Sequence, residues 1–346
     1  MAPPRPGLAS PPLHPQAARR RPRAPPTGRR PAEHTRSRHR TRSPPVSRIL
    51  GVALAQVAPV TGDPQATFAK FSREVRSLKA LSPSIDLVVF PELYLSASGS
   101  FDARHPAGYL DGLAEPIPGP ITDAVCRLAA DTGLWIVPGS IPERSAKGVH
   151  NTAVAISPQG EVVASYRKIF PWMPYETSVP GDTYVTFDIP QVGRFGLAIC
   201  YDGWVPEISR TLAWMGAEVI IQPTYTRTSD REQELVLARA NAITNQVYVL
   251  NPNIGGLFGT GRSIATDPEG RVLAQGGAGE EFLTFHLDLD LVATTRERGT
   301  LGLNPLWKQL RDAPPPFPPA TEGYDKGQIM TGLGPLYPSR AGSPGA

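Results

Sequence analysis

From residue 49 onward the apolar residues of this chain fall into two rhythms, short unbroken runs and stretches with helical spacing, separated by turn residues. The run 49–57 reads as a buried strand. Asp63 and Pro64 supply an N-cap and a proline at the first helical position. Phe68, Phe71, Val75 and Leu78 then share one face, so the spacing predicts a helix over 64–81. Leu87-Val88-Val89-Phe90 is the next strand, and it ends at Pro91-Glu92. A helix over 121–132 precedes a strand at 135–140. Runs at 152–157 and 161–166 flank Ser157-Pro158-Gln159-Gly160, the pattern of a hairpin.

The segment 194–199 is a strand running straight into Cys200, and Pro206-Glu207-Ile208 opens a helix shortly afterwards. After a strand at 219–222, Ser229-x-x-Glu232 forms a capping box that predicts an amphipathic helix to residue 245. Further strands fall at 247–250, 263–266 and 282–287, and beyond Thr295 the chain reads as loop with Pro314-Pro315-Pro316. Hairpin and crossover connections mixed with helices favour an α/β layered domain over a bundle or barrel.

Composition changes this picture at the N-terminus. Residues 1–48 carry twelve arginines against one acidic residue, Glu33, while the whole chain has a formal net charge of +4. The rest is therefore acidic overall, which argues against a nucleic-acid surface on the main domain. A Pro- and Arg-rich stretch with few apolar residues cannot support a packed core, so 1–48 reads as a solvated extension without a secretory h-region. No run of about 18 apolar residues occurs, and no transmembrane helix is expected. Two cysteines in 346 residues exclude a disulfide framework and a thiolate-rich zinc site, and point to a reducing cytoplasm.

Candidate chemistry begins with Cys200. A cysteine between strand and helix sits on a sharp turn, where helix-end N–H groups favour a thiolate and can hold an oxyanion. Cysteine is also among the most buried residue types, and Cys126, inside the helix over 121–132, reads as such a packed thiol. Histidine is the usual base for a thiol. Yet His14, His34 and His39 fall in the extension, and His105, His150 and His286 lack a motif-like setting. Glu92 fits better, since burial after an apolar strand raises a carboxylate towards the range useful for proton transfer. Lys168, in Tyr166-Arg167-Lys168-Ile169-Phe170-Pro171-Trp172, could hold an ammonium over an oxyanion. Singly, Glu92 and Lys168 could equally be solvated surface charges.

Together, Phe90-Pro91-Glu92, Tyr166-Arg167-Lys168 and Ile199-Cys200-Tyr201-Asp202 resemble the Glu, Lys and Cys motifs of the nitrilase superfamily of carbon–nitrogen hydrolases, across 49–290. The resemblance implies a four-layer α-β-β-α sandwich that forms homo-oligomers and uses no metal or organic cofactor. It implies that Glu92 is the general base, Lys168 stabilises the tetrahedral intermediate, Cys200 is the nucleophile, and the Tyr201 amide joins the oxyanion hole. Pro171-Trp172-Met173-Pro174-Tyr175-Glu176 is similar to the second-glutamate motif of the amidase branches, where Glu176 orients substrate and water. Trp172 and Tyr225 are candidates for substrate binding. Cys200-Tyr201-Asp202-Gly203 with Pro206-Glu207 resembles the aliphatic amidase and formamidase branch. A small amide is thus the expected substrate, with an N-carbamoyl amine or amino acid, or a nitrile, as the alternative. In the carbamoyl case Arg227 or Arg231 could bind a carboxylate, and otherwise both cap or solvate the following helix. A non-catalytic scaffold of the same fold is the remaining possibility. On this reading the chain comprises an extension over 1–48, a hydrolase domain over 49–295, and an extension over 296–346, partly packed at a subunit interface.

Overall fold

In the computed structural model, which describes residues 47–97, 108–256 and 259–312, the apolar runs pair into two sheets laid face to face. The strands are β1 (Ile49–Gln56), β2 (Leu87–Val89), β3 (Trp135–Val137), β4 (Ser140–Ser145), β5 (Gly148–Ile156), β6 (Val162–Arg167), β7 (Thr186–Ile189), β8 (Gly193–Leu197), β9 (Val219–Ile221), β10 (Tyr248–Asn251), β11 (Ile264–Thr266), β12 (Val272–Gln275) and β13 (Glu281–Asp288). The helices are α1 (Pro64–Leu81), α2 (Tyr109–Leu113), α3 (Pro120–Thr132), α4 (Pro206–Trp214), α5 (Arg231–Asn245), α6 (Asp290–Arg298) and α7 (Leu306–Asp312). One sheet runs β13-β1-β2-β3-β5-β4, with β6 paired to β5, and the other β12-β11-β10-β9-β8-β7. Each is parallel at its centre and antiparallel at its edges: β1, β2 and β3 run together in the first, and β8, β9 and β10 in the second.

Three apolar layers hold the sheets and helices together. Leu50, Val52, Leu54 and Val89 of the first sheet meet Leu197, Ile221 and Leu250 of the second. The other face of the first sheet, with Ala53, Val88 and Phe90, takes Phe71, Val75 and Leu78 of α1 and Val125 and Leu128 of α3. Ala198, Ile220 and Val249 carry Ile208 and Leu212 of α4 and Leu235 and Ala238 of α5. The order is helix, sheet, sheet, helix, as the sequence resemblance implied. Because both faces of the central strands are covered, they read as continuous apolar runs rather than alternating ones. Phe71 is fully buried and packs edge-on against Phe90 at 4.6 Å, so truncating it to alanine costs about 3–5 kcal/mol.

α1 begins as expected, with Pro64 at its head and the Asp63 carboxylate accepting from Ala66 N at 2.8 Å. Other expectations need correction. The strand at 135–140 divides into β3 and β4, because the link passes through Gly139 at φ +87°, where a Cβ would lie 1.7 Å from the Pro91 carbonyl oxygen. The capping box at Ser229 does not form: α5 starts from Asp230 with no side-chain cap, and Glu232 instead pairs with Arg262. β7 and β12, short and at the sheet edges, lacked a sequence signal long enough to register. Residues beyond Thr295 are not all loop, since α6 runs to Arg298 and α7 follows, with the guanidinium groups of Arg210 and Arg296 each 5.3 Å from the Trp307 ring centre. Arg48, counted with the extension by charge, belongs to the fold: it pairs with Glu218 and Asp290 and donates to the carbonyls of Val192 and Leu289. The remaining expectations for 1–46 and for residues beyond Asp312 fall outside the described residues, as does His105.

Candidate active site

Glu92, Lys168 and Cys200 leave three different strand ends and line one cavity of about 660 Å³. Each is pinned through its backbone. Glu92 follows β2, and its N–H reaches across to the Thr224 carbonyl, 3.3 Å away, beyond the end of β9 in the other sheet. Lys168 follows β6 and donates its N–H to Asn151 O at 2.9 Å, while its own carbonyl accepts from Gly181. The Cys200 N–H donates to Pro223 O at 2.9 Å, again beyond β9. Parallel strands ending together make this a natural place for a site.

Cys200 heads a one-turn 3-10 helix, Cys200–Trp204, and has φ +45°. A left-handed conformation at a residue with a Cβ costs on the order of 1 kcal/mol and is held by its surroundings. Gln222 Nε2 donates to the Cys200 carbonyl at 2.8 Å, and Gly203 leaves room for that amide, since a Cβ there would lie 2.0 Å from Gln222 Nε2. Below the turn, Asp202 accepts from Ile199 N, Phe170 N and the Tyr166 hydroxyl. α4 starts only after this turn, so the thiol sits at the head of the short helix rather than of α4.

Two carboxylates share the one lysine. Lys168 Nζ lies 2.8 Å from Glu92 Oε1 and 2.7 Å from Glu176 Oε2, and all three side chains are buried. Asn151 Nδ2 donates to both acids, at 2.8 Å to Glu92 Oε1 and 2.9 Å to Glu176 Oε1. Glu176 also accepts from Trp172 N at 2.9 Å and Ser178 Oγ at 2.8 Å.

This asymmetry separates the two acids. Burial raises Glu92 above the usual carboxylate range, with Lys168 only partly opposing it and Glu176 adding to it. Burial acts on Glu176 in the same direction, but Lys168 and the further donors outweigh it and hold Glu176 low. Burial works against the Lys168 ammonium, yet Glu92 and Glu176 lift its pKa well above the ordinary value. Cys200 departs from the sequence expectation of a lowered thiol pKa. Burial and the Glu92 charge push it well up, against the opposing pull of Lys168 and a backbone hydrogen bond from Tyr225. Burial thus favours the protonated form of both the Cys200 thiol and the Glu92 carboxyl.

The cavity wall is aromatic and polar by turns. Trp172 and Tyr175 form one ring pair at 4.5 Å and Tyr201 and Trp204 another at 6.0 Å, with Tyr225 beside them. Thr226 to Asp230 is one continuous stretch of wall, and Glu234 of α5 completes it. Arg231 does not cap or solvate α5: it is buried, pairs with Glu234 at 2.9 Å and donates to Asn251 Oδ1 at 2.7 Å. Arg227, in contrast, lines the cavity and has no ion-pair partner among the described residues. Cys126 lies in α3, partly buried against the apolar layer there, and His286 faces outward from β13. His150 is buried and bonded to Ser145 and to the Val179 carbonyl.

Sequence reasoning missed Asn151, Ser178, Gln222 and Glu234. Only Asn151 left a trace, as a polar residue near the start of the buried run of β5.

The sequence pattern described as carbon-nitrogen hydrolase matches residues 51–297. Omega-amidase NIT2 of Homo sapiens is 29% identical over 265 residues, covering 72% of this chain and 91% of that protein. A formamidase of Bacillus thuringiensis (strain Al Hakam) is 31% identical over 242 residues, 67% of this chain and 71% of its own. The crystal structure of Saccharomyces cerevisiae Nit3, a member of branch 10 of the nitrilase superfamily, superposes with a TM-score of 0.65 at 27% identity, over 74% of this chain and 96% of that one. With the fold, the converging side chains and these relatives in agreement, the chain belongs to the carbon–nitrogen hydrolase family of the nitrilase superfamily.

Proposed function

We propose that this enzyme is an amidase that converts a linear amide to carboxylic acid and ammonia through a thioester on Cys200. The observation that carries this reading is the convergence of Glu92, Lys168 and Cys200 on one cavity. Glu92 takes the thiol proton as the sulfur attacks the carbonyl carbon. The tetrahedral oxyanion is held by the Lys168 ammonium and the Tyr201 N–H. The intermediate collapses as Glu92 returns its proton to the leaving nitrogen, releasing ammonia. Water, deprotonated by Glu92, then attacks the thioester; the acid leaves and the thiol is restored.

Glu176 enters this scheme differently from the role its motif implies. Four protein donors already occupy its oxygens, and it is absent from the cavity wall. Its part is to keep Lys168 charged and aimed.

The aromatic wall and a volume well beyond the needs of formamide favour an amide with an extended acyl group. Arg227 supports a second reading, an amide or N-carbamoyl compound carrying a distal carboxylate. Ammonia release from formamide, propionamide, an N-carbamoyl amino acid and a simple nitrile, run side by side with Cys200→Ala as control, tests both. No ammonia from either simple amide would remove the amidase reading, and none from any member of the panel would favour a scaffold. A carboxylated substrate whose turnover collapses in Arg227→Gln would establish the second. Exposed Trp214 on α4, with Val236 and Ile243 two turns apart on α5, supports assembly into a homo-oligomer, which light scattering at micromolar concentration tests. Both cysteines are free, which suits a reducing, cytoplasmic setting for the enzyme. Among the described residues no helix is long and apolar enough to cross a membrane.

A further inference from the structure

Asn151 lies in β5 between two carboxylates that would otherwise repel one another. Its single amide nitrogen donates one N–H to Glu92 Oε1 and the other to Glu176 Oε1. The distribution of donors matters. Lys168 and Asn151 both fall on Oε1 of Glu92, which leaves Oε2 free of either. The Cys200 thiol is a further hydrogen-bond partner of the Glu92 carboxylate.

The orientation of the amide is imposed by its neighbours. With its ends exchanged, the Asn151 oxygen would stand 2.8 and 2.9 Å from two carboxylate oxygens, an arrangement with no proton between them. In the orientation observed, Asn151 Oδ1 is itself buried with no hydrogen-bond partner among the described residues. Such an orphan acceptor is destabilising, because it gives up its bond to water and gains none in return. A residue chosen for packing alone would not carry that cost, and a leucine of similar size would avoid it.

We propose that Asn151 is a positioning residue for the hydrolysis, a neutral double donor that ties Glu92 to Glu176 and fixes Glu92 so that its second oxygen is presented to Cys200. It does not touch substrate, being 3% exposed and absent from the cavity wall. A neutral amide suits the place because a second cation would compete with Lys168 for the same oxygens, and a hydroxyl has one proton for two acceptors. The proposal rests on Glu92 acting as base towards Cys200, as proposed above. The charged and titratable groups facing Glu92 are Lys168, Glu176 and Cys200, and Glu234 faces Cys200 from α5.

The test reads the acid limb, where Glu92 becomes protonated, in two ways: kcat/KM for the best amide of the panel, and alkylation of Cys200 by iodoacetamide followed by mass mapping. The second needs no substrate, so it stands even where the amidase reading fails. Asn151→Leu removes the donor; the limb should move to higher pH by about one unit, the scale of a hydrogen bond to a charged group. Its kcat should fall about 100-fold with KM changed less than about threefold. Asn151→Asp, nearly isosteric, adds a third carboxylate and should move the limb further. Thermal melts confirm that each variant is folded. Loss at every pH by one constant factor, with the limb unmoved, would overturn the proposal, as would unchanged activity. Failure of both variants to fold would also count against it, since Asn151 would then be a structural residue.

Discussion

The hydroxyl of Tyr166 donates to Asp202 Oδ2 at 2.7 Å, directly beneath the turn that carries Cys200. The same carboxylate accepts from Ile199 N and Phe170 N, each at 2.9 Å, so it joins the strand end before Cys200 to the segment that follows Lys168. Burial raises Asp202 to about 6. Because the folded state then binds the proton more tightly than the unfolded chain, stability from this group is full below about pH 4 and is lost as pH rises through 6. Asp202→Asn should remove that slope, on the order of 3 kcal/mol between pH 4 and 7. Urea unfolding of both proteins across this range, compared as a difference, is the measurement. Tyr166→Phe, at pH 7, should cost about 1.5–3 kcal/mol, the worth of a hydrogen bond to a charged group.

Replacing Cys200 by alanine or serine should lower kcat by at least about 1000-fold while leaving the melting temperature within a few degrees. Glu92→Gln should do the same, because the amide can neither take the thiol proton nor return it. Retained turnover in either variant would end the thioester mechanism.

The alkaline side of the pH profile is set by groups that the site raises. Lys168 and Cys200 both titrate well above their ordinary values, so kcat/KM should not decline between pH 8 and 9. On the acid side activity should fade while an unperturbed glutamate would still be ionised, since Glu92 is raised. A full pH–rate profile of the wild type, with enzyme stability checked at each end, decides both.

Arg48, next to β1, is tied into the fold. Its guanidinium pairs with Glu218 and Asp290 while still partly exposed, so Arg48→Ala should cost about 1–3 kcal/mol. Removing residues 1–47, by contrast, should leave melting temperature and turnover unchanged, an expectation that rests on their composition. Matched truncation and point variants, followed by thermal denaturation, would show the contrast.

The layered fold was legible because buried parallel strands such as Leu87–Val89 announce themselves as apolar runs, and α1 carries both its cap and its face in sequence. Glu92, Lys168 and Cys200 each follow a strand, but they were legible only together, through the resemblance of their three motifs to one family, since the alternating strand before Lys168 marks no site by itself. Asn151, Ser178 and Gln222 were not, since a polar residue inside or beside a strand gives no sign of which distant group it will meet. Arg231 misled too: a helix-end arginine normally faces water, whereas this one is buried against Asn251 of β10, which only folding brings near, as well as against Glu234 one turn along its own helix. The raised thiol of Cys200 could not be read either, because local sequence suggests a helix end but not the depth of burial or the charge opposite.

The continuous wall from Thr226 to Asp230 has one more implication. Glu92, Lys168 and Cys200 hang from several strand ends, each braced by its own buried companions, whereas Thr226–Asp230 is a single unbroken stretch of the chamber's lining. Exchange of that short stretch for another could therefore redirect acyl preference without disturbing proton transfer, a division of labour that gives breeding or design a compact handle on this scaffold.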